Sequence, residues 1–241
     1  MVSKITSNQE IGVIIPAYNP DPVLLGELLT RLQQISVSTP MKLLIVDDGS
    51  ETPLEVPCTE VMSIQLISHS QNLGKGEALK TGFRYFFSEH AIDLVLTLDA
   101  DLQHPPEKIP EFLQQYRDRK GDMIIGYRKR KPAVMPLSRI FSNTFTSLII
   151  SAITGQLVRD SQCGFRLLER SILEDVILKE KRFHLESEML IKLGLKGVRF
   201  SFVEIPTLYN SEKSSINHLP DTLNFIQLIL RILKERITGY V

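Results

Sequence analysis

The chain has no tryptophan, only two cysteines and no excess of either charge. Cys58 and Cys163 stand far apart and in no CxxC spacing, which argues against a zinc site and a disulfide framework and fits a reducing compartment. Lysine plus arginine equals aspartate plus glutamate at 28 each, so no global field recruits nucleic acid or an acidic surface. Attraction to anions must be local. The opening residues MVSKITSNQE lack the apolar centre of a secretory signal, so a cytoplasmic location is expected. Internal repeats and low-complexity tracts are absent as well.

Long apolar runs are equally scarce. Residues 140–158 carry no charge and approach membrane-spanning length, but Ser142, Asn143, Thr144, Thr146, Ser147 and Ser151 interrupt them. The stretch reads as a buried or membrane-surface helix. Arg128, Lys129, Arg130 and Lys131 precede it, either to meet anionic headgroups at the inner face of a membrane or as a solvated basic loop.

What is present is an alternation of short β-branched runs with amphipathic segments, the pattern of βαβ units in a mostly parallel sheet covered by helices. Strands are expected at 11–15, 43–46, 64–68 and 94–98, and helices at 22–34 and 75–88. Beyond them the pattern is less regular. Helices are expected at 106–119, 136–153, 171–178 and 185–195, a strand near 200–205 and a last helix at 220–237. That last helix carries Leu223, Phe225, Ile226, Leu228, Ile229, Leu230, Ile232 and Leu233, more apolar surface than one core-facing stripe requires. Core packing, a membrane surface and a second copy of the chain are the three partners left open for it.

In an open α/β sheet, ligands bind beyond the carboxyl ends of the strands, where the loops PAYNP, DDGS and DADLQHPPE fall. Asp99, Asp101 and Gln103 offer oxygen ligands suited to Mg²⁺ or Mn²⁺. Were the strand to continue through Asp101, all three would point the same way; the alternative is a helix-capping turn. Asp47 and Asp48 can accept hydrogen bonds from a base or ribose, or form an Asx turn. Lys75, between Gly74 and Gly76 at a helix start, can bring a cation and backbone N–H groups to an anion, though without the spacing of a P-loop.

Together, IIPAYN (14–19), VDDGS (46–50), NLGKG (72–76) and DADLQHPPE (99–107) resemble the family 2 glycosyltransferases. DSQCGFR (160–166) and VEIP (203–206) narrow the resemblance to the dolichol-phosphate mannosyltransferase branch, which moves a hexose from a nucleotide sugar to a polyprenyl phosphate. The resemblance implies a GT-A, Rossmann-like fold in one domain over 1–241. Its donor half would cover about 11–130, its acceptor half about 131–218, and a carboxyl-terminal amphipathic helix about 219–241. It also implies that Pro16, Tyr18, Val46 and Asp48 line the nucleoside pocket, that Asp99, Asp101 and Gln103 face the metal and diphosphate, and that Arg128 lies near the diphosphate. Two departures stand out. Pro20 and Asp21 replace the family's glutamate after Tyr-Asn, and residues 209–215 lack the mannosyltransferase arginine and Ser-Lys pair, leaving Lys213 as the nearest cation.

The family-like reaction is a single displacement with inversion. A polyprenyl phosphate attacks without a base, whereas a sugar or protein hydroxyl needs a carboxylate in reach. Asp160 is the first candidate for that base, ahead of Glu186 and Glu188. A binding protein without catalysis is the rival from another class.

Overall fold

The computed structural model describes residues 10–56, 62–89, 92–130, 132, 135–208 and 218–238. The β-branched runs form strands β1 (Ile11–Ala17), β2 (Met41–Asp47), β3 (Ser63–Ser68) and β4 (Leu94–Thr97). Their alternation sorts side chains between two cores, one on each face of the sheet. Ile11, Val13, Ile15, Leu43 and Ile45 pack under α1 (Pro22–Ser36) and α3 (Ile109–Arg117). Ile14, Leu44 and Val46 pack under α2 (Lys75–Ser88) on the opposite face.

The sheet has seven strands in the order β3-β2-β1-β4-β6-β5-β7, with β5 at Met123–Arg128, β6 at Arg166–Glu169 and β7 at Phe200–Ile205. Every neighbouring pair is parallel except those made by β6, which runs antiparallel between β4 and β5. The chain leaves β1 toward β2 and β3, then returns to the other side of β1 for β4. The crevice at that reversal is where an α/β sheet takes ligands.

The sequence pattern does not mark β5 and β6. β5 carries Gly126, at which a Cβ would lie 3.0 Å from Cys163 Sγ, and β6 opens on Arg166, a guanidinium 0 % exposed. The expected helix 106–119 divides into a 3₁₀ turn, Pro106–Lys108, and α3, because Pro110 has no N–H for a continuous ladder. The helix expected at 171–178 ends early, as α5 (Arg170–Glu174). Helices α4 (Leu137–Thr154), α6 (His184–Leu195) and α7 (His218–Ile237) follow the remaining expectations within a few residues.

Helix α4 is amphipathic in an inverted sense. It buries Asn143, Ser147 and Ile150 while Leu137, Phe141, Phe145 and Leu148 face outward, Phe141 being 75 % exposed. No described helix is long and apolar enough to cross a membrane. Helix α7 packs Phe225, Leu228 and Ile232 into the core, and still shows Leu223, Ile226, Leu230 and Leu233 outside. Core packing therefore accounts for one of its two stripes. A charge network, buried at Lys192 and Glu188 and partly exposed at Arg231, clamps α7 in place: Lys192 Nζ lies 2.9 Å from Glu188 and 3.2 Å from Glu235, and Arg231 lies 2.7 Å from Glu180.

Candidate active site

The crevice begins where the loops after β1 and β2 lock together. Asp48 N–H donates to Ala17 O (2.7 Å), Asn19 N–H donates to Ser50 Oγ (2.8 Å), and Asn19 Oδ1 accepts from Glu51 N–H (2.9 Å). Gly49, at φ 75°, lets the 71–72 backbone press against this turn, since a Cβ there would lie 2.3 Å from Gln71 C. Tyr18 stands half-exposed at the rim, beside the half-buried Pro16.

Two expected pocket residues are turned elsewhere. Val46 is fully buried and packs in the α2-side core, as period-two alternation requires of the neighbour of Ile45. The Asp48 carboxylate, with its residue 2 % exposed, accepts from Leu73 N–H (3.1 Å) and Gly74 N–H (2.7 Å) and meets His69 Nδ1 at 2.7 Å. It thus anchors the loop leading into α2 rather than presenting its oxygens to a ribose. Asp21 also serves its own neighbourhood, where Oδ1 caps α1 through Val23 N–H (2.8 Å) and Leu24 N–H (3.2 Å).

The acidic pair follows β4, but the strand does not run through it. Pairing stops at Thr97, Asp101 Oδ1 accepts from Gln103 N–H (3.0 Å), and Leu102 adopts φ 59°. The expected single-faced extended run is therefore replaced by an Asx-type turn, favoured by the short side chain of Asp101 and the 3₁₀ turn beyond it.

Asp99 lies at the centre of a charge cluster. Lys75 Nζ sits 2.6 Å from Asp99 Oδ1 and 3.0 Å from Glu186 Oε1. Burial opposes ionisation of Asp99, but the Lys75 ammonium and neighbouring positive charge outweigh it and bring the carboxyl down to about 2. For Lys75 the same balance runs the other way: burial lowers its pKa, and Asp99 and Glu186 raise it further than burial lowers it. The cluster rests on Gly164, where a Cβ would meet Glu186 Oε1 at 2.8 Å, Asp99 Oδ1 at 3.0 Å and Lys75 Nζ at 3.0 Å.

Sequence reasoning passed over His104. Its ring is 2 % exposed, and Nδ1 accepts from Asp99 N–H at 3.0 Å. Burial lowers its pKa to about 4, so the ring is neutral near pH 7 and its proton sits on Nε2, 3.7 Å from Cys163 Sγ. It lies inside the DADLQHPPE segment, but nothing in that segment marks its ring as a partner of the Asp99 backbone.

Mg²⁺ and Mn²⁺ sites that handle phosphates commonly use one or two carboxylates, with phosphate oxygens and water completing the shell. Among the described residues no three His, Cys, Asp or Glu side chains converge on one point, so the protein presents no closed cage. Asp99, held ionised, Asp101 and the Gln103 amide offer only oxygen donors, the chemistry that a hard cation sharing its shell with a diphosphate prefers.

On the other flank of the crevice, Asp160 is completely buried and accepts five hydrogen bonds. Arg128 supplies Nε (2.9 Å), Nη2 (3.2 Å) and its own N–H (3.2 Å), Asn143 Nδ2 lies at 2.8 Å, and Gln162 N–H at 3.2 Å. Burial would raise the Asp160 pKa, but Arg128 outweighs it and the net direction is down. A carboxylate so enclosed and so acidic is a poor proton acceptor, which removes the physical basis for Asp160 as a general base. Arg166 spends its guanidinium on three carbonyls, Cys163 O, Glu186 O and Ser161 O, each at 2.8 Å.

Of the two glutamates, Glu186 joins the Lys75 cluster. Glu188 holds Lys179 N–H and Glu180 N–H, each at 2.8 Å, and belongs to the α7 clamp. Lys213 lies outside the described residues.

The chain belongs to glycosyl transferase family 2, whose model matches residues 12–177. It is 30 % identical over 220 residues to the UDP-N-acetylglucosamine–dolichyl-phosphate N-acetylglucosaminyltransferase of Methanococcus voltae, covering 83 % of this chain and 86 % of that one. It is 27 % identical over 176 residues to the dodecaprenyl-phosphate galacturonate synthase of Rhizobium johnstonii, covering 70 % of this chain but only 50 % of that one. Among solved structures it resembles glucosyl-3-phosphoglycerate synthase from Mycobacterium tuberculosis in complex with Mn²⁺ and UDP-glucose. There the TM-score is 0.65 at 20 % identity, over 94 % of this chain and 78 % of that one. The fold is GT-A and the protein is a glycosyltransferase.

Proposed function

We propose that the protein transfers a hexose, with inversion, from a nucleotide-sugar donor such as GDP-mannose or a UDP-sugar to a polyprenyl phosphate. The observation that carries this reading is the enclosure of Asp160 by Arg128, Asn143 and Gln162. With Asp160 engaged, Glu186 paired to Lys75 and Glu188 committed to α7, none of the three candidate bases is left to deprotonate a hydroxyl. A phosphate monoester acceptor is already ionised near neutral pH and needs no base. The named relatives act on dolichyl and dodecaprenyl phosphates, which supports the same acceptor class here.

In this reading Asp99, Asp101 and Gln103 hold Mg²⁺ or Mn²⁺, and the cation supplies charge neutralisation for the departing diphosphate. Tyr18 and Pro16 flank the nucleoside. Arg128, the last residue of β5, is oriented by its bidentate pair with Asp160 and in this reading lies near the diphosphate. The outward stripe Leu137, Phe141, Phe145 and Leu148 lies on the helix that forms one wall of a cleft of about 490 Å³. Arg128, Lys129, Arg130 and Arg159 line the same cleft, a combination suited to the surface of an anionic bilayer where such an acceptor resides.

The test is a panel of labelled nucleotide sugars incubated with Mn²⁺ and either a short polyprenyl phosphate or the matching polyprenol. Transfer to the phosphate and not to the alcohol is expected. Efficient transfer to a hydroxyl acceptor, or thermal stabilisation by donors with no transfer to any acceptor, would overturn the proposal.

A further inference from the structure

Lys75 is the residue whose position the reaction does not explain by itself. It is the first residue of α2, its side chain is 18 % exposed, and its ammonium is held between Asp99 Oδ1 at 2.6 Å and Glu186 Oε1 at 3.0 Å. The Asp99 oxygen it touches belongs to one of the two carboxylates that the proposed function gives to the cation. A divalent cation approaching Asp99 without nucleotide would have to displace a charge already in contact. A nucleoside diphosphate changes the balance, because its oxygens give the ammonium another partner and leave Asp99 to the metal.

Resting on the donor reading above, we infer that Lys75 is a resident counter-ion that blocks Asp99 until a nucleoside diphosphate arrives, so that metal and nucleotide bind as a cooperative pair. Three features of the fold keep the ammonium in place. Glu186 holds it from the second side and is itself fixed, its backbone carbonyl receiving Arg166 Nη1 at 2.8 Å. Gly164 leaves room for the three charged groups to meet, since any Cβ would fall within 3.0 Å of all of them. The start of α2 is pinned by Asp48 through Gly74 N–H (2.7 Å) and by Lys181 O through Glu77 N–H (3.1 Å), which sets the origin of the Lys75 side chain. Lys75 is thus a positioning residue for metal occupancy. Linkage makes the effect reciprocal: whatever factor the nucleotide adds to metal affinity, the metal adds to nucleotide affinity.

Mn²⁺ binding, followed by the electron paramagnetic resonance signal of the free ion, reads this directly without turnover. Wild-type protein, Lys75→Met and Lys75→Arg are titrated with Mn²⁺ alone and again with saturating UDP or GDP, thermal melting confirming that each is folded. Lys75→Met should bind Mn²⁺ alone roughly tenfold more tightly than the wild type and lose a comparable factor of the nucleotide coupling. Lys75→Arg should keep the wild-type pattern. Lys80→Met, on the same helix but paired to Glu77 at 2.8 Å, controls for net charge and should leave both affinities unchanged. If Lys75→Met does not fold, Lys75→Gln carries the same expectation. Unchanged or weaker binding of Mn²⁺ alone by the neutral Lys75 variant overturns the inference. Failure of the wild type to bind either nucleotide contradicts the donor reading instead, and the comparison with Mn²⁺ alone still decides the role of Lys75.

Discussion

Arg128 and Asp160 form a bidentate pair across the end of β5, with Nε 2.9 Å from Oδ2 and Nη2 3.2 Å from Oδ1, and Asn143 of α4 completes the carboxylate at 2.8 Å. The pair joins three segments: the strand that brings Arg128, the helix that brings Asn143, and the D-x-x-C-G-F-R turn that brings Asp160. Removing one partner leaves a desolvated charge behind. Asp160→Ala should therefore cost about 3–5 kcal/mol of stability, measured by urea unfolding. Asp160→Asn should unfold more readily than the wild type but less so than Asp160→Ala.

The same carboxylate gives the protein an acid limit. Its pKa is depressed in the folded state, so its contribution is complete above the unfolded value of about 3.9 and lost as pH falls through the lower folded value. Wild-type stability should fall steeply below about pH 4, and Asp160→Asn should show a shallower decline in the same range. Parallel acid-unfolding curves for the two proteins would contradict this assignment.

Gly164→Ala probes the charge cluster without touching a charge. Its Cβ would lie 2.8–3.0 Å from Glu186, Asp99 and Lys75, so the three side chains must part. The expected result is a modest loss of stability, about 1–3 kcal/mol, with a larger loss of nucleotide-sugar affinity than of melting temperature. Isothermal titration beside thermal melting separates the two effects.

Much of the fold was legible because β1, β2, β3 and β4 announce themselves as β-branched runs separated by amphipathic helices, and α2 begins at a visible Gly-Lys-Gly. β5 and β6 were not, since Gly126 and the buried Arg166 are exceptions to strand chemistry that only the packing around Cys163 and three carbonyls makes intelligible. In the site, the acidic loops stood out as motifs at strand ends. What each acid does there was hidden, because Asp48 and Asp160 spend their hydrogen bonds on segments distant in sequence, Gly74 and Arg128 among them. His104 and Glu186 reach Asp99 and Lys75 through contacts that only the folded chain sets.

If the acceptor is a polyprenyl phosphate as proposed, the outward apolar stripe of helix α4 is the surface expected to meet lipid. Phe141→Glu with Leu148→Glu places two charges on a surface that is already outward, so folding should be preserved. Sedimentation with phosphatidylglycerol vesicles should fall by roughly tenfold or more, and binding by the wild type should weaken at high salt, because Lys129, Arg130 and Arg159 supply the electrostatic part. Equal sedimentation of both proteins would move the contact elsewhere, the outer stripe of α7 being the next surface to test.

The most direct measurement is Mn²⁺-dependent transfer of a labelled sugar from its nucleotide donor to a polyprenyl phosphate, compared between the wild type and Asp99→Asn. Loss of transfer by roughly a hundredfold or more in a variant that melts like the wild type is the expected result. Transfer by Asp99→Asn at the wild-type rate, or wild-type transfer indifferent to removal of divalent cations, would contradict the account.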